Sequence, residues 1–188
     1  MSKKFYKLIF SVTFLIMSFA NGAPNTIFDK YENQFVFHVS QSIKKGKLDS
    51  KQDRFETLYN LMLQYSQPND CFRLFGRRNF EIIAFIGGQA KKVNYSKYNQ
   101  MLMGISQDIY FPIAEHFYFG AGLGGYIKTK VTDRISSIVT FGEKFFIGYQ
   151  FNDKRIITEL YIKHFSNGKL TPINKGQNFV GFAMLYNF

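Results

Sequence analysis

The sequence predicts an all-β fold, an eight-stranded antiparallel transmembrane β-barrel of the outer-membrane type. Three observations predict it. Behind an N-terminal leader the chain breaks into eight short segments of alternating polarity, separated by turn residues and close to the length a tilted membrane strand needs. Aromatic residues make up 19% of the 188 residues, with 23 Phe and 12 Tyr but no Trp. That is more than the core of a soluble domain this size requires, and it suits a wall that faces lipid. The last segment also ends on Tyr186 and Phe188, two residues apart, in the manner of the terminal strand read by outer-membrane assembly machinery, although Ala183 stands where that signal usually has glycine.

Only one run is continuously apolar, 8–20, with Lys3, Lys4 and Lys7 before it and the small residues Gly22 and Ala23 after it. A basic head, a short apolar stretch and small residues for cleavage make a secretory signal peptide, and the run is too short to cross a bilayer as a helix. Residues 1–23 are expected to leave, with cleavage after Ala20, Gly22 or Ala23, and 24–188 to form the barrel. Of 24 basic residues three lie in the leader, so 21 remain against 13 acidic ones and the mature chain carries about +8. An exported chain this basic fits a phosphorylated glycolipid surface, not nucleic acid. Cys71 is the sole cysteine, which excludes an internal disulfide and a thiolate zinc site. His38, His116 and His164 are too scattered for metal ligation, and no cofactor is expected.

Strands are expected over 34–40, 55–65, 80–87, 100–109, 116–127, 138–151, 156–166 and 178–188. Both termini of such a barrel lie in the periplasm, so odd-numbered strands run outward. Residues 152–155 then form a tight periplasmic turn, while 44–54, 129–137 and 167–177 are longer outer loops. The stretch 67–79 is too long for a tight turn, and the boundaries beside it are the least defined by pattern. In the first outer loop Lys44, Lys45 and Lys47 are placed to hold glycolipid phosphates. The run Gly120 to Gly125 formally matches a dinucleotide fingerprint, but that fingerprint needs a helix opening on its glycines. Here the glycines alternate within a strand and read as inward positions that make room for large lumen side chains.

The last two strands separate most cleanly at period two. On the seventh, Ile156, Thr158, Leu160 and Ile162 form an apolar row that continues into His164 and Ser166, against Glu159, Tyr161, Lys163 and Phe165 on the other face. On the eighth, Val180, Phe182, Met184, Tyr186 and Phe188 are the large apolar row. These even rows are expected to face hydrocarbon. A histidine and a serine thus sit two apart on the lipid side, where the apolar row gives way to a polar loop.

With His164-Phe165-Ser166-Asn167, then Pro172, Asn174 and Gly176, then the aromatic last strand, this hairpin resembles the lipid A 3-O-deacylase (PagL-type) family of outer-membrane enzymes. Phe141-Gly142-Glu143-Lys144 and Gly148-Tyr149 extend the resemblance, which runs from about Tyr118 onward. It implies a hydrolase that removes the acyl chain at the 3 position of lipid A, releasing a 3-hydroxy fatty acid, with lipopolysaccharide as substrate and the outer membrane as location. Two departures stand out. Gly168-Lys169 occupies the place where the family usually has Ala-Gly, with Pro172 one position early. Asn178 stands fourteen residues after His164, where some members carry an acid.

Ester hydrolysis needs a nucleophile, a base, a group that orients the base, and donors for the oxyanion. Within this resemblance Ser166 is the nucleophile and His164 the base and then the acid, at the i, i+2 spacing of about 6.5–7 Å along a strand. Asn167, with the backbone N–H groups of Asn167 and Gly168, is the expected oxyanion donor set. Closing the 152–155 turn in its simplest register sets Phe151 opposite Ile156 and therefore Glu143 opposite His164, with Cβ atoms about 4.5–5.5 Å apart. Glu143 is the favoured charged partner of His164, and Asn178 the neutral alternative. The competing function is a structural or adhesive barrel without catalysis. Whether the barrel acts alone or as a homodimer is not fixed by pattern.

The leader makes a direct prediction. Intact-mass measurement of protein extracted from the outer membrane should show a chain beginning after Ala20, Gly22 or Ala23; an intact Met1 would refute cleavage.

Overall fold

The computed structural model describes residues 33–43, 57–71, 74–87, 98–152 and 155–188. Eight antiparallel strands, β1 (Gln34–Ile43), β2 (Leu58–Pro68), β3 (Gly76–Gly87), β4 (Gln100–Pro112), β5 (Phe117–Lys128), β6 (Val139–Gln150), β7 (Ile156–Ser166) and β8 (Gln177–Asn187), each pair with the next. β8 returns to β1, and the barrel is closed. In hydrocarbon a backbone N–H or C=O has no water to bond, and closure gives every strand two neighbours. The leader and the basic residues Lys44, Lys45 and Lys47 lie outside the described residues.

Each expected strand is present, and the differences lie at strand ends. β2 runs on to Pro68 and β3 begins at Gly76, so the long connection expected over 67–79 shrinks to 69–75. It is tied by the Asn69 N–H to the Gly76 carbonyl at 3.0 Å and by a bridge between Cys71 and Leu74. The physical reason is Arg77. In sequence it reads as a loop residue, but in the fold it is a buried lumen side chain with two carboxylate partners on other strands.

Side chains alternate as the period-two pattern requires. On β7 the even residues face out and Ile157, Glu159, Tyr161, Lys163 and Phe165 are buried inside. Phe145 is 66% exposed and Leu160 61%, members of an apolar belt that continues over every strand. A monomer in water does not carry such a belt, and it matches the lipid-facing band of a membrane barrel. At the periplasmic end Phe188 stacks on Phe35 with ring centroids 4.8 Å apart.

The lumen is filled, not open. Toward the periplasmic end Arg77 Nη2 donates to Glu159 at 2.9 and 3.0 Å and its Nε donates to Asp108 at 2.9 Å. Lys144 Nζ donates to the same Asp108 carboxylate at 2.6 Å and Tyr118 Oη to Glu159 at 2.8 Å. Toward the outer end Glu81 accepts from Lys163, Tyr126 and Ser106. The inward glycines make this packing possible: a Cβ at Gly120 would meet the Phe146 ring and one at Gly148 the Tyr118 ring.

Removing one member of a buried ion cluster leaves its partners desolvated and unpaired, at a cost of about 3–5 kcal/mol, whereas removing both members of a pair costs less. Asp108→Asn is accordingly expected to lower the unfolding free energy in lipid vesicles by more than the double variant Asp108→Asn/Lys144→Met. Denaturant titration in which the double variant lost as much as Asp108→Asn, or more, would contradict this account of the lumen.

Candidate active site

The site is built by register. β6 and β7 pair so that Glu143 lies opposite His164 and Phe141 opposite Ser166, the arrangement expected from a 152–155 turn closing Phe151 on Ile156. The Phe151 N–H indeed donates to the Ile156 carbonyl at 3.0 Å. On its other side β7 pairs with β8 so that Asn178 lies opposite His164. The imidazole therefore stands between a carboxylate and an amide on neighbouring strands, at the outer end of the barrel. His164 and Ser166 are half-buried on the outward face, and Glu143 is exposed on it.

The orienting bond goes to Asn178. Its Oδ1 accepts from His164 Nδ1 at 2.6 Å, which puts the ring proton on Nδ1 and leaves Nε2 as the basic nitrogen. Among the described residues there is no ion pair between His164 and Glu143, although Glu143 lies directly opposite His164 on β6. Nδ1 has room for one acceptor, and the short Asn178 side chain directly across the strand pair takes it. Nor do the described residues include a hydrogen bond between Ser166 Oγ and the imidazole. The two share a face at strand spacing.

A glycine sets the far wall. Gly176 has φ +66, and a Cβ there would lie 2.6 Å from His164 Cε1 and 3.2 Å from Nε2. Any other residue would be strained in its backbone and would push the ring. The Gly176 carbonyl in turn accepts from Arg134 Nε at 3.2 Å and Nη2 at 3.0 Å. Arg134 lies in the β5–β6 loop, which is sewn to the β7–β8 loop by the Lys175 N–H to the Arg134 carbonyl at 2.8 Å, the Ile135–Asn174 bridge and the Ser136 N–H to the Ile173 carbonyl at 3.1 Å. Sequence reasoning missed this clamp. Gly176 was visible only as part of a motif, and Arg134 sits in a loop without periodicity.

Asn167 braces the loop that follows β7. It is fully buried, its N–H donates to Asn174 Oδ1 at 3.0 Å, and its Nδ2 donates to Thr171 Oγ1 at 2.5 Å and the Ile173 carbonyl at 3.2 Å. Its Oδ1 accepts from the Lys169 N–H at 2.9 Å, which holds Lys169 at φ 67. Through these bonds Asn167 shapes the loop that follows β7. The Gly168 N–H enters no bond among the described residues, and a Cβ on Gly168, at φ 59, would lie 3.1 Å from the Phe141 ring. Thr140 Oγ1 donates to the Ser166 carbonyl at 2.7 Å and pins the end of β7. Among the described residues no three His, Cys, Asp or Glu side chains gather as metal ligands.

Known proteins share the family profile and the barrel of this chain. The lipid A 3-O-deacylase (PagL) family profile matches residues 25–187. Among solved structures, the crystal structure of the outer membrane enzyme PagL superposes with a TM-score of 0.57 at 14% identity, covering 82% of this chain and 99% of that one. The crystal structure of Neisserial surface protein A (NspA) superposes with a TM-score of 0.55 at 10% identity, covering 84% of this chain and 97% of that one. At such identities the superpositions speak for the barrel alone. No curated protein sequence matches the chain. The family profile spans nearly the whole chain, and this protein belongs to the lipid A 3-O-deacylase (PagL) family, ester hydrolases of the outer membrane.

Proposed function

We propose that the protein hydrolyses the ester at the 3 position of lipid A by a Ser/His mechanism at the outer-leaflet rim of the barrel. The observation that carries this reading is the 2.6 Å bond from His164 to Asn178, which orients an imidazole on the face that also bears Ser166. Ser166 Oγ attacks the acyl carbonyl carbon while His164 Nε2 takes the hydroxyl proton. The carbonyl oxygen becomes an oxyanion, met by the unspent Gly168 N–H. Collapse breaks the bond to the sugar oxygen, which leaves with the proton held by His164. Water, deprotonated by the same nitrogen, then attacks the acyl-serine and releases a 3-hydroxy fatty acid with the serine restored.

Asn178 fixes the tautomer as a neutral acceptor, but it cannot stabilise the imidazolium by charge. Glu143, opposite His164 on β6, supplies negative potential without a direct bond. The lipid reaches Ser166 sideways from the membrane, since the site's face is the one that continues the apolar wall.

The test is mass spectrometry of lipid A after expression in a host that lacks such an enzyme, with turnover of the purified barrel beside it. Wild type should remove one hydroxyacyl chain, and Ser166→Ala and His164→Ala should leave lipid A intact while still folding. Loss of the orienting bond in Asn178→Leu should cost about 100-fold in kcat, Glu143→Gln about tenfold, and Asn178→Asp should retain or exceed wild-type turnover. A folded Ser166→Ala that still deacylates would remove the nucleophile from the account. Glu143→Gln costing far more than Asn178→Leu would return the partner role to the carboxylate.

A further inference from the structure

Gly125 faces lipid on β5 and has open space where a Cβ would be, with no atom within 4 Å. The outward positions on either side of it, Leu123 and Ile127, are large and apolar. A bare glycine in the middle of a lipid-facing strand weakens the strand and leaves the wall unfilled, and such a glycine commonly marks a place where something approaches the backbone closely. The gap lies in a shallow, open depression of about 380 Å³ lined by Phe141, Leu123, Ile105, Gln107 and Arg78.

Register connects this hollow to the site. Ser166 pairs with Phe141, Phe141 with Gly125, and Gly125 with Ile105, so the four form one continuous outward row across β7, β6, β5 and β4. Because the strands are tilted, the row descends as it goes. It leaves the outer rim at Ser166, the last residue of β7, and after passing all eight strands reaches Tyr186 near the periplasmic end of β8. Three strand spacings separate Ser166 from Ile105, about 14 Å of wall. An acyl chain whose ester carbonyl sits at Ser166 must run from the headgroup level into the bilayer, and this row offers it that direction.

The geometry points to Gly125 as a specificity-determining position: the acyl chain being cleaved lies along the outer wall from Ser166 over Phe141 into the hollow above Gly125. Its occupant is the hydrocarbon tail of the substrate, continuous with the site that holds its ester. The assignment rests on the reading of Ser166 as nucleophile, and the experiment separates the two. A side chain at residue 125 would fill the path several ångströms from the reacting atoms, so it should discriminate by chain length and leave the chemical machinery in place.

The probes are two synthetic glucosamine lipids in detergent micelles, identical except that the ester at the 3 position is 3-hydroxybutyryl in one and 3-hydroxymyristoyl in the other. Gly125→Leu should lower the myristoyl-to-butyryl ratio of kcat/KM by about tenfold or more, with Gly125→Ala intermediate, since pocket contacts of one or a few methylenes discriminate on this scale. Heat-modifiable gel migration reports folding of each variant, and the open space at Gly125 leaves room for either side chain. An unchanged ratio in both folded variants, with wild type active, overturns the acyl path and leaves the nucleophile standing. If wild type and Ser166→Ala cleave the two lipids alike, or if folded wild type cleaves neither, the reading of Ser166 falls and the path falls with it.

Discussion

Backbone groups in hydrocarbon must find their partners within the sheet, and in this protein that demand is met by a ladder that closes β8 on β1. The rest of the structure depends on the register this closure enforces. The β6–β7 turn fixes one sum of residue numbers across the pair and thereby puts Glu143 beside His164; the β7–β8 pairing fixes another and puts Asn178 on the other side. A slip of one residue in either pair would carry His164 into the lumen or its partners away from it. The same alternation that lines the outer wall with Phe and Leu sends Glu159, Lys163, Lys144 and Asp108 inward, where they can persist only as mutual partners.

The outer face, the strand count and the His164–Glu143 juxtaposition were legible in sequence because each follows from period two and one tight turn. What the pattern leaves open is set by contacts between segments distant in sequence. Arg77 looks like a loop residue until Glu159, 82 residues away, is seen to receive it. The choice between Glu143 and Asn178 depends on side-chain reach, not on register, since both lie directly opposite His164. The bonds that tie Asn167 into its own loop join residues without periodicity. Nothing periodic could have announced that Arg134, on another loop, holds the glycine that backs the imidazole.

The proposed site lies at the depth its proposed substrate class would require. A lipid ester lies where hydrocarbon meets headgroup, and β7 ends its apolar row at that depth with His164 and Ser166 before Asn167 turns into the loop. The proposed reacting groups belong to a strand end beside a loop bonded on both flanks, so they sit on rigid elements at a mobile lipid boundary. In the proposed mechanism the group that orients the imidazole is a neutral amide, Asn178. Such an amide carries no charge, so in that proposal the imidazolium is balanced by Glu143, opposite it on β6.

The central claim is that Ser166 is a nucleophile activated at the outer rim. It is tested most directly by treating the folded barrel in detergent micelles with a long-chain alkyl fluorophosphonate and locating the adduct by peptide mass mapping. The account predicts a single covalent phosphonyl adduct on Ser166, formed much more slowly when His164 is replaced by alanine. An adduct on another residue, or a Ser166 that stays unmodified under conditions in which the barrel deacylates lipid A, would contradict it.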